Sequence, residues 1–327
     1  MKRFKKILCV IEPNTHSEAA VIQALKIADD HQAVVTFVSV LEKVGAWHKF
    51  FDTDVNASKS LQNYAELKRI EVNAWLKGLN SKFTDNITIY SGIGFIETVK
   101  DVIKNDYDLV VKCAEGVDWL DRLFGSSDMH LLRKCPCPVL MLKPSQKNIF
   151  HNVIATLDVN NEYNDPIGQC VQDELNHSVL NYSATFSLSE LTELHICSVW
   201  NAFGESHLRH SMFANTPESE VNRYVDEIRK ECSSKLDKLM DDASKEMSKD
   251  IVDYLRPKVH LVKGNASKDI PLVATSLKAD LIVMGTVART GLPGLIIGNT
   301  AETILEQVTC SVLAIKPKGF ISPVTLN

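Results

Sequence analysis

Short apolar runs alternate along this chain with longer segments in which apolar residues recur every three or four positions. The runs lie at 7–11, 34–40, 87–90, 109–111 and 139–142, and again at 153–157, 194–199, 259–262, 281–284 and 312–315. Because almost every position in a run is apolar, the runs predict strands covered on both faces, as in a parallel sheet with crossover helices. The longest predicted helix extends from Glu218 to Met247, with its apolar residues on one stripe.

The second part of the chain repeats the first. Residues 4–14 (FKKILCVIEPN) match residues 150–160 (FHNVIATLDVN), and residues 87–114 match residues 259–286 without a gap. A match at fixed spacing over such lengths indicates a duplicated unit. The chain is therefore predicted to hold two copies of one α/β domain.

Both copies end in the same way, on a predicted strand followed by a Lys-Pro pair at Lys143 and at Lys316. The joint falls at 145–148. We predict a first domain over residues 1–146 and a second over residues 147–327. Each is expected to be doubly wound around a parallel sheet of five strands.

Composition and charge exclude several classes of function. The 327 residues are 45% apolar and 24% charged, as in an ordinary globular protein. The 36 Lys and Arg against 41 Asp and Glu give a net charge of -5, without the basic excess that nucleic-acid binding requires. No apolar window is long enough for a signal-peptide core or a membrane helix, so we expect a cytoplasmic protein that binds no nucleic acid and does not insert into a membrane.

The cysteines and histidines do not form a familiar metal motif. Cys135 and Cys137 are too close in sequence for an ordinary zinc knuckle, so we expect the eight cysteines to be buried free thiols. His207 and His210, with His195 nearby in sequence, raise the alternative of a metal site. Since no Cys or carboxylate at ligand spacing accompanies them, surface histidines without a metal are the favoured interpretation.

An open parallel sheet binds ligands beyond the carboxyl ends of its strands. In the second half the residues at those ends, together with the glycine-rich loop and the helix that follow, are Asp158, Val199, Lys263, Gly264, Gly285, Thr286, Ala288, Arg289, Gly298, Asn299 and Thr300. Glycines allow a close approach of the backbone, and a helix start behind such a loop offers N–H groups to phosphate. Asn299 and Glu302 resemble a capping box that opens the last helix.

The most specific stretches are GTVARTGL at 285–292, GNTAE at 298–302, the closing IKP at 315–317 and HLLRKCP at 130–136. They resemble the universal stress proteins of the type that carries two domains in tandem, and the resemblance covers nearly the whole chain. It implies the doubly wound fold shared with adenine nucleotide alpha hydrolases, relatives that bind adenine nucleotides, and a stress-response role. It also implies that the last strands of the two halves meet, as in the dimers of single-domain relatives.

Nucleotide-binding relatives carry a G-x2-G-x9-G-[ST] loop, and the second half matches part of it. Gly285 and Gly298 fit the pattern, whereas Ala288 and Asn299 depart from it. Ala288 adds a methyl group where the backbone of relatives approaches phosphate. Asp158 matches the acidic residue that lies beside the nucleotide in those relatives.

The first half matches the loop less well. Gly116, Gly125 and Ser126 fit, but Cys113 replaces the first glycine and only eight residues separate the last two glycines. Glu12 stands in place of the acidic residue. The resemblance therefore implies a nucleotide site in the second half and a mainly structural first half.

Charges near the two loops also favour the second half. Arg289 and Lys263 would attract an anionic phosphate there, although Glu302 opposes them. The first half instead places carboxylates near its loop, at Glu115, Asp118 and Asp128.

No nucleophile elbow, P-loop lysine or nucleotidyl-transferase signature is present, so the sequence favours a non-enzymatic protein. We expect it to bind a small ligand in the second half and to signal through partner proteins. One alternative is an adenine-nucleotide switch with at most slow hydrolysis, holding ATP or AMP with magnesium. Another is a carrier of a hydrophobic ligand, because aromatic residues concentrate at 45–51 and 200–213; packing of these loops onto the sheet is the favoured interpretation.

Overall fold

A computed structural model describes residues 3–11, 17–42, 54–79, 86–114, 127–144, 149–160, 166–188, 192–210, 216–247, 249–286 and 298–326. The strands in these residues are β1 (Lys6–Val10), β2 (Val34–Glu42), β3 (Ile87–Gly92), β4 (Leu109–Cys113), β5 (Val139–Leu142), β6 (Asn152–Leu157), β7 (Glu193–Trp200), β8 (Lys258–Lys263), β9 (Leu281–Gly285) and β10 (Ser311–Ile315). The helices are α1 (Glu18–His31), α2 (Asp54–Leu79), α3 (Gly94–Asn105), α4 (Ser127–Lys134), α5 (Pro166–Phe186), α6 (Glu205–His210), α7 (Glu218–Glu246), α8 (Lys249–Leu255), α9 (Ala266–Ser276) and α10 (Asn299–Gln307).

The strands of both halves form one sheet, in the order β3-β2-β1-β4-β5-β10-β9-β6-β7-β8. Neighbouring strands are parallel within each half. Where the halves meet, β5 and β10 run antiparallel, with Leu140 opposite Leu313. Two tandem doubly wound domains, each with five parallel strands, are therefore confirmed, as is the pairing of their last strands.

The central strands are covered on both faces, as the apolar runs predicted, whereas the edge strands β3 and β8 are partly exposed. Every residue of β4 and of β10 is buried. On the predicted long helix, α7, the apolar stripe packs against the core, with Val221, Cys232 and Leu236 buried. Within the described part of the chain, we find no helix with the length and apolarity needed to cross a lipid bilayer.

Two buried clusters, one on each face of the sheet, contain residues of both halves. Phe4, which opens the first copy of the repeat, stacks on Tyr182 of α5 with a ring-centroid distance of 5.8 Å. Phe150, which opens the second copy, packs on Phe186 of the same helix at 6.1 Å. Among the described residues this places an aromatic cluster over the boundary between the halves.

Candidate functional site

Asp158 lies directly after β6 and is held in place through its backbone. Asn176 of α5, which is 1% exposed, accepts a hydrogen bond from the Asp158 N–H at 3.1 Å and donates one to the Asp158 carbonyl at 2.8 Å. Asp158 Oδ1 accepts from the Asn160 N–H at 3.1 Å, and Asn160 Nδ2 donates to the Val199 carbonyl at 3.1 Å. These bonds bring two predicted site residues, Asp158 and Val199, to one corner of the sheet.

Asn160 and Asn176 were missed by the sequence reasoning as site residues. The repeat could have indicated Asn160, because the same residue type stands at the matching position, Asn14, of the first copy. Nothing in the sequence indicated Asn176, since an asparagine within a helix is ordinary and its hydrogen-bond partner, Asp158, lies 18 residues away. Its burial indicates that it fixes the chain after β6.

Lys263, at the end of β8, already has an anionic partner. Its Nζ lies 2.6 Å and 2.7 Å from the two carboxylate oxygens of Glu205, and 5.9 Å from the centre of the Trp200 ring. The hydrogen bond from Lys263 holds the pKa of Glu205 below its usual value. A phosphate bound by Lys263 would therefore compete with Glu205.

Gly264 and Gly285, at the ends of β8 and β9, are closely approached by other atoms, but these atoms belong to side chains of this protein and not to a ligand. A Cβ on Gly264 would clash with Asp269 Oδ2, the atom that accepts the Asn265 N–H. A Cβ on Gly285 would lie 2.5 Å from Leu175 Cδ2. The close approach expected of these glycines is thus present, and packing within the fold is sufficient to explain it.

Thr286 connects the end of β9 to two other parts of the site. Its carbonyl accepts from the Gly298 N–H at 3.2 Å, which places the start of α10 beside the end of β9. Its Oγ1 accepts from the Nζ of Lys316 at 2.7 Å, and this Nζ lies 5.2 Å from the centre of the Phe320 ring. Burial lowers the pKa of Lys316 to about 7. The sequence reasoning noticed Lys316 only as the end of a repeat and missed its buried amine.

The predicted capping box at α10 is wrong. Gly298 is the N-cap, and Asn299 is the first helical residue without a side-chain capping bond. The carboxylate of Glu302 is bound by Arg133 of α4, in the other half, so it does not fold back onto its own helix. Glu302 thus has a compensating charge, and Asn299 and Thr300 are exposed.

At the start of α4, which corresponds to the start of α10 in the second half, the first half has a buried ion pair. Lys112 of β4 lies 2.6 Å from Asp128 Oδ1, in the first turn of α4, and both side chains are buried. The repeat places Met284 and Ala301 at these two positions in the second half. The first half therefore buries two opposite charges where the second half has two uncharged side chains.

Several predicted residues lie outside the described part of the chain, and their roles stay predictions. These are Glu12, Gly116, Gly125, Ser126, Ala288 and Arg289, with the loop charges Glu115 and Asp118. The aromatic stretch 45–51 is also outside it. Of the second aromatic stretch, Trp200 is buried in the core whereas Phe203 is 85% exposed.

The histidines take a different arrangement from the one considered for a metal. His207 and His210 lie on the short helix α6, and the described residues contain no group of three His, Cys, Asp or Glu side chains that could hold a metal ion. His195 Nδ1 instead lies 3.0 Å from Nε2 of His260 on the neighbouring strand, and burial lowers the pKa of both imidazoles. None of the eight cysteines forms a disulfide; seven are buried as expected, and Cys170 is exposed against expectation.

Known proteins resemble this chain over both halves. The sequence profile of the Universal stress protein family matches residues 3–143 and residues 170–316. The universal stress protein E homolog of Haemophilus influenzae is 27% identical over 323 residues, which is 96% of this chain and 98% of that protein. Universal stress protein E of Escherichia coli K12 is 28% identical over 237 residues, which is 71% of this chain and 68% of that protein.

Solved structures agree on the fold. A putative universal stress protein from Pseudomonas aeruginosa superposes with a TM-score of 0.63 at 23% identity, covering 97% of this chain and 95% of that one. A universal stress protein from Archaeoglobus fulgidus gives a TM-score of 0.57 at 14% identity, covering 96% and 97%. With the family profile matched in both halves and the fold shared, the chain belongs to the universal stress protein family and carries two such domains in tandem.

Proposed function

We propose that this chain is a non-enzymatic cytoplasmic stress-response protein that binds a small ligand at the carboxyl edge of the second-half sheet and signals through partner proteins. An adenine nucleotide is the first ligand to test. Asp158, Val199, Thr286 and the start of α10 border that edge, and phosphate would meet the helix N-terminus.

The difference between the two helix starts carries this proposal. In the first half, Asp128 in the first turn of α4 forms a buried ion pair with Lys112 on the neighbouring strand β4. In the second half the same positions are Met284 and Ala301, which carry no charge. Glu302, the acidic residue in the first turn of α10, is engaged by Arg133. Each helix start thus has one carboxylate paired with a cation, but the pair of the first half is buried where β4 meets α4, whereas the matching positions of β9 and α10 carry no charge that a phosphate would have to displace.

Calorimetry with ATP and magnesium tests the proposal. We expect the wild-type protein to bind, and Asp158→Asn to weaken binding by tenfold or more, since an acidic side chain beside the ribose is lost. Glu12→Gln, at the matching position of the first half, is the control and should bind like the wild type. Absence of heat at millimolar ATP would rule out a nucleotide.

Two further measurements separate the alternatives. Phosphate release from ATP at a rate above background would contradict a non-enzymatic role and favour the switch. Native mass spectrometry of the purified protein would detect a retained lipid, and such a lipid would favour the hydrophobic carrier over the nucleotide.

A further inference from the structure

Two thiols and an amine meet at the boundary between the halves. Cys135 and Cys137 flank Pro136 between α4 and β5, and both are buried with their Sγ atoms 3.6 Å apart. Extending the antiparallel register of β5 and β10 by two residues places Cys137 across from Lys316. The first half therefore supplies a dithiol, and the second half supplies a buried lysine beside it.

The two thiols have different surroundings. The hydrogen bond with Cys135, together with burial, raises the pKa of Cys137, so Cys137 is the thiol of the pair that keeps its proton. The buried amine of Lys316 interacts electrostatically with Cys135. In its protonated form the Lys316 amine attracts the Cys135 sulfur, and Cys137 keeps its proton, so Cys135 is favoured as the nucleophile of the pair.

We propose that Cys135 and Cys137 are an oxidation site that forms a reversible disulfide with small hydroperoxides. The Cys135 sulfur attacks the O–O bond of hydrogen peroxide, which gives a sulfenic acid on Cys135 and one water. The Cys137 sulfur then displaces the sulfenic oxygen as a second water and forms the S–S bond. Two thiols and one peroxide thus become one disulfide and two waters, and each thiol gives up its hydrogen.

The local geometry suits a reversible bond. Closing the gap from 3.6 Å to a disulfide of about 2.05 Å requires each sulfur to move by less than about 1 Å. Only Pro136 separates the two cysteines, and so short a loop strains the disulfide. Strained disulfides are readily reduced, so we expect a sensor of oxidant and not a permanent crosslink.

The other end of the same strand pair provides an internal comparison. Extending the register by two residues at this end places Lys143 across from Cys310, but the repeat puts Val308 in the position of Cys135. Cys310 consequently has a lysine neighbour without a second thiol. The exposed Cys170 reports whether the added oxidant is active.

Peroxide treatment of the reduced full-length protein, followed by tryptic digestion, tests the proposal. Cleavage after Lys134 and Lys147 yields a peptide that contains Cys135 and Cys137 and no other cysteine. We expect this peptide to lose two hydrogen atoms at a peroxide concentration that oxidises Cys170, and to regain them with dithiothreitol. A peptide that stays reduced while Cys170 is oxidised, or that is oxidised only in urea, would overturn the proposal.

Variants separate the roles of the two thiols. Cys137→Ser should stop the reaction at a Cys135 sulfenic acid that dimedone traps, whereas Cys135→Ser should give no such adduct. Lys316→Met should slow disulfide formation several-fold, with Lys143→Met as its matched control, and Cys310→Ser should behave like the wild type. Urea midpoints confirm that each variant is folded; equal dimedone labelling of both cysteine variants would contradict the assigned roles.

Discussion

Lys112 on β4 donates a hydrogen bond of 2.6 Å to Asp128 in the first turn of α4, and both side chains are buried. Removing one partner of a buried pair leaves an uncompensated charge, so Lys112→Met or Asp128→Ala should each lower the free energy of unfolding by about 3 to 5 kcal/mol. The double variant copies Met284 and Ala301 of the second half and should recover most of that loss. Urea unfolding of the four proteins measures the coupling.

Additive losses in the double variant would contradict a direct pair. Single losses below about 1 kcal/mol would show that water screens the two charges, as it does at a protein surface.

Gly285 lies against Leu175, and this contact predicts the cost of a methyl group. Gly285→Ala would place a Cβ 2.5 Å from Leu175 Cδ2, so we expect a loss of about 1 to 3 kcal/mol through overpacking. Leu175→Ala removes the clashing side chain. In that background, Gly285→Ala should lower the free energy of unfolding by much less. Gly78→Ala on α2, where a Cβ meets no atom within 4 Å, is the control and should stabilise by up to about 1 kcal/mol. Thermal unfolding of each variant and of the wild type measures these differences in stability.

The fold was predictable because its signals are local and repeated. An unbroken apolar run such as 281–284 indicates a strand buried on both faces, and the second copy of each run supports the first. The pairing of β5 with β10 needed the family resemblance in addition, because strand composition does not specify a neighbour.

The candidate site was less predictable because its residues act over long separations. Glu302 looked like a capping residue from its spacing to Asn299, yet its partner Arg133 lies 169 residues away. A glycine packed against a phosphate and one packed against a side chain, as Gly285 is against Leu175, cannot be told apart in the sequence. The buried lysine at 316 could be recognised only once Thr286 was placed beside it.

Lys316 predicts a dependence of stability on pH. Burial lowers its folded-state pKa to about 7, whereas an unfolded lysine titrates near about 10.4. Between these values the unfolded chain binds more protons than the folded one, so this lysine makes stability rise with pH across that window and penalises the folded state below it. Lys316→Met removes the penalty. Its free energy of unfolding should exceed that of the wild type at pH 7, and the gap should narrow toward pH about 10.

Chemical unfolding at several pH values, with Lys143→Met as the control, checks this dependence. A gap between Lys316→Met and the wild type that stays constant from neutral to alkaline pH would show that the buried amine does not titrate in that range.

The β5–β10 pairing predicts that the two halves unfold together. Leu140 and Leu313 face each other at the centre of this pairing and are fully buried, so Leu313→Ala should cost about 2 to 5 kcal/mol. Variants that retain only Trp75, in α2, or only Trp200, in β7, report on one half each by fluorescence. Because the core is continuous across the sheet, both signals should share one urea midpoint and shift together in Leu313→Ala. Two separate midpoints, or a radius of gyration by small-angle scattering well above the about 20 Å of one compact body, would mean that the halves are only tethered.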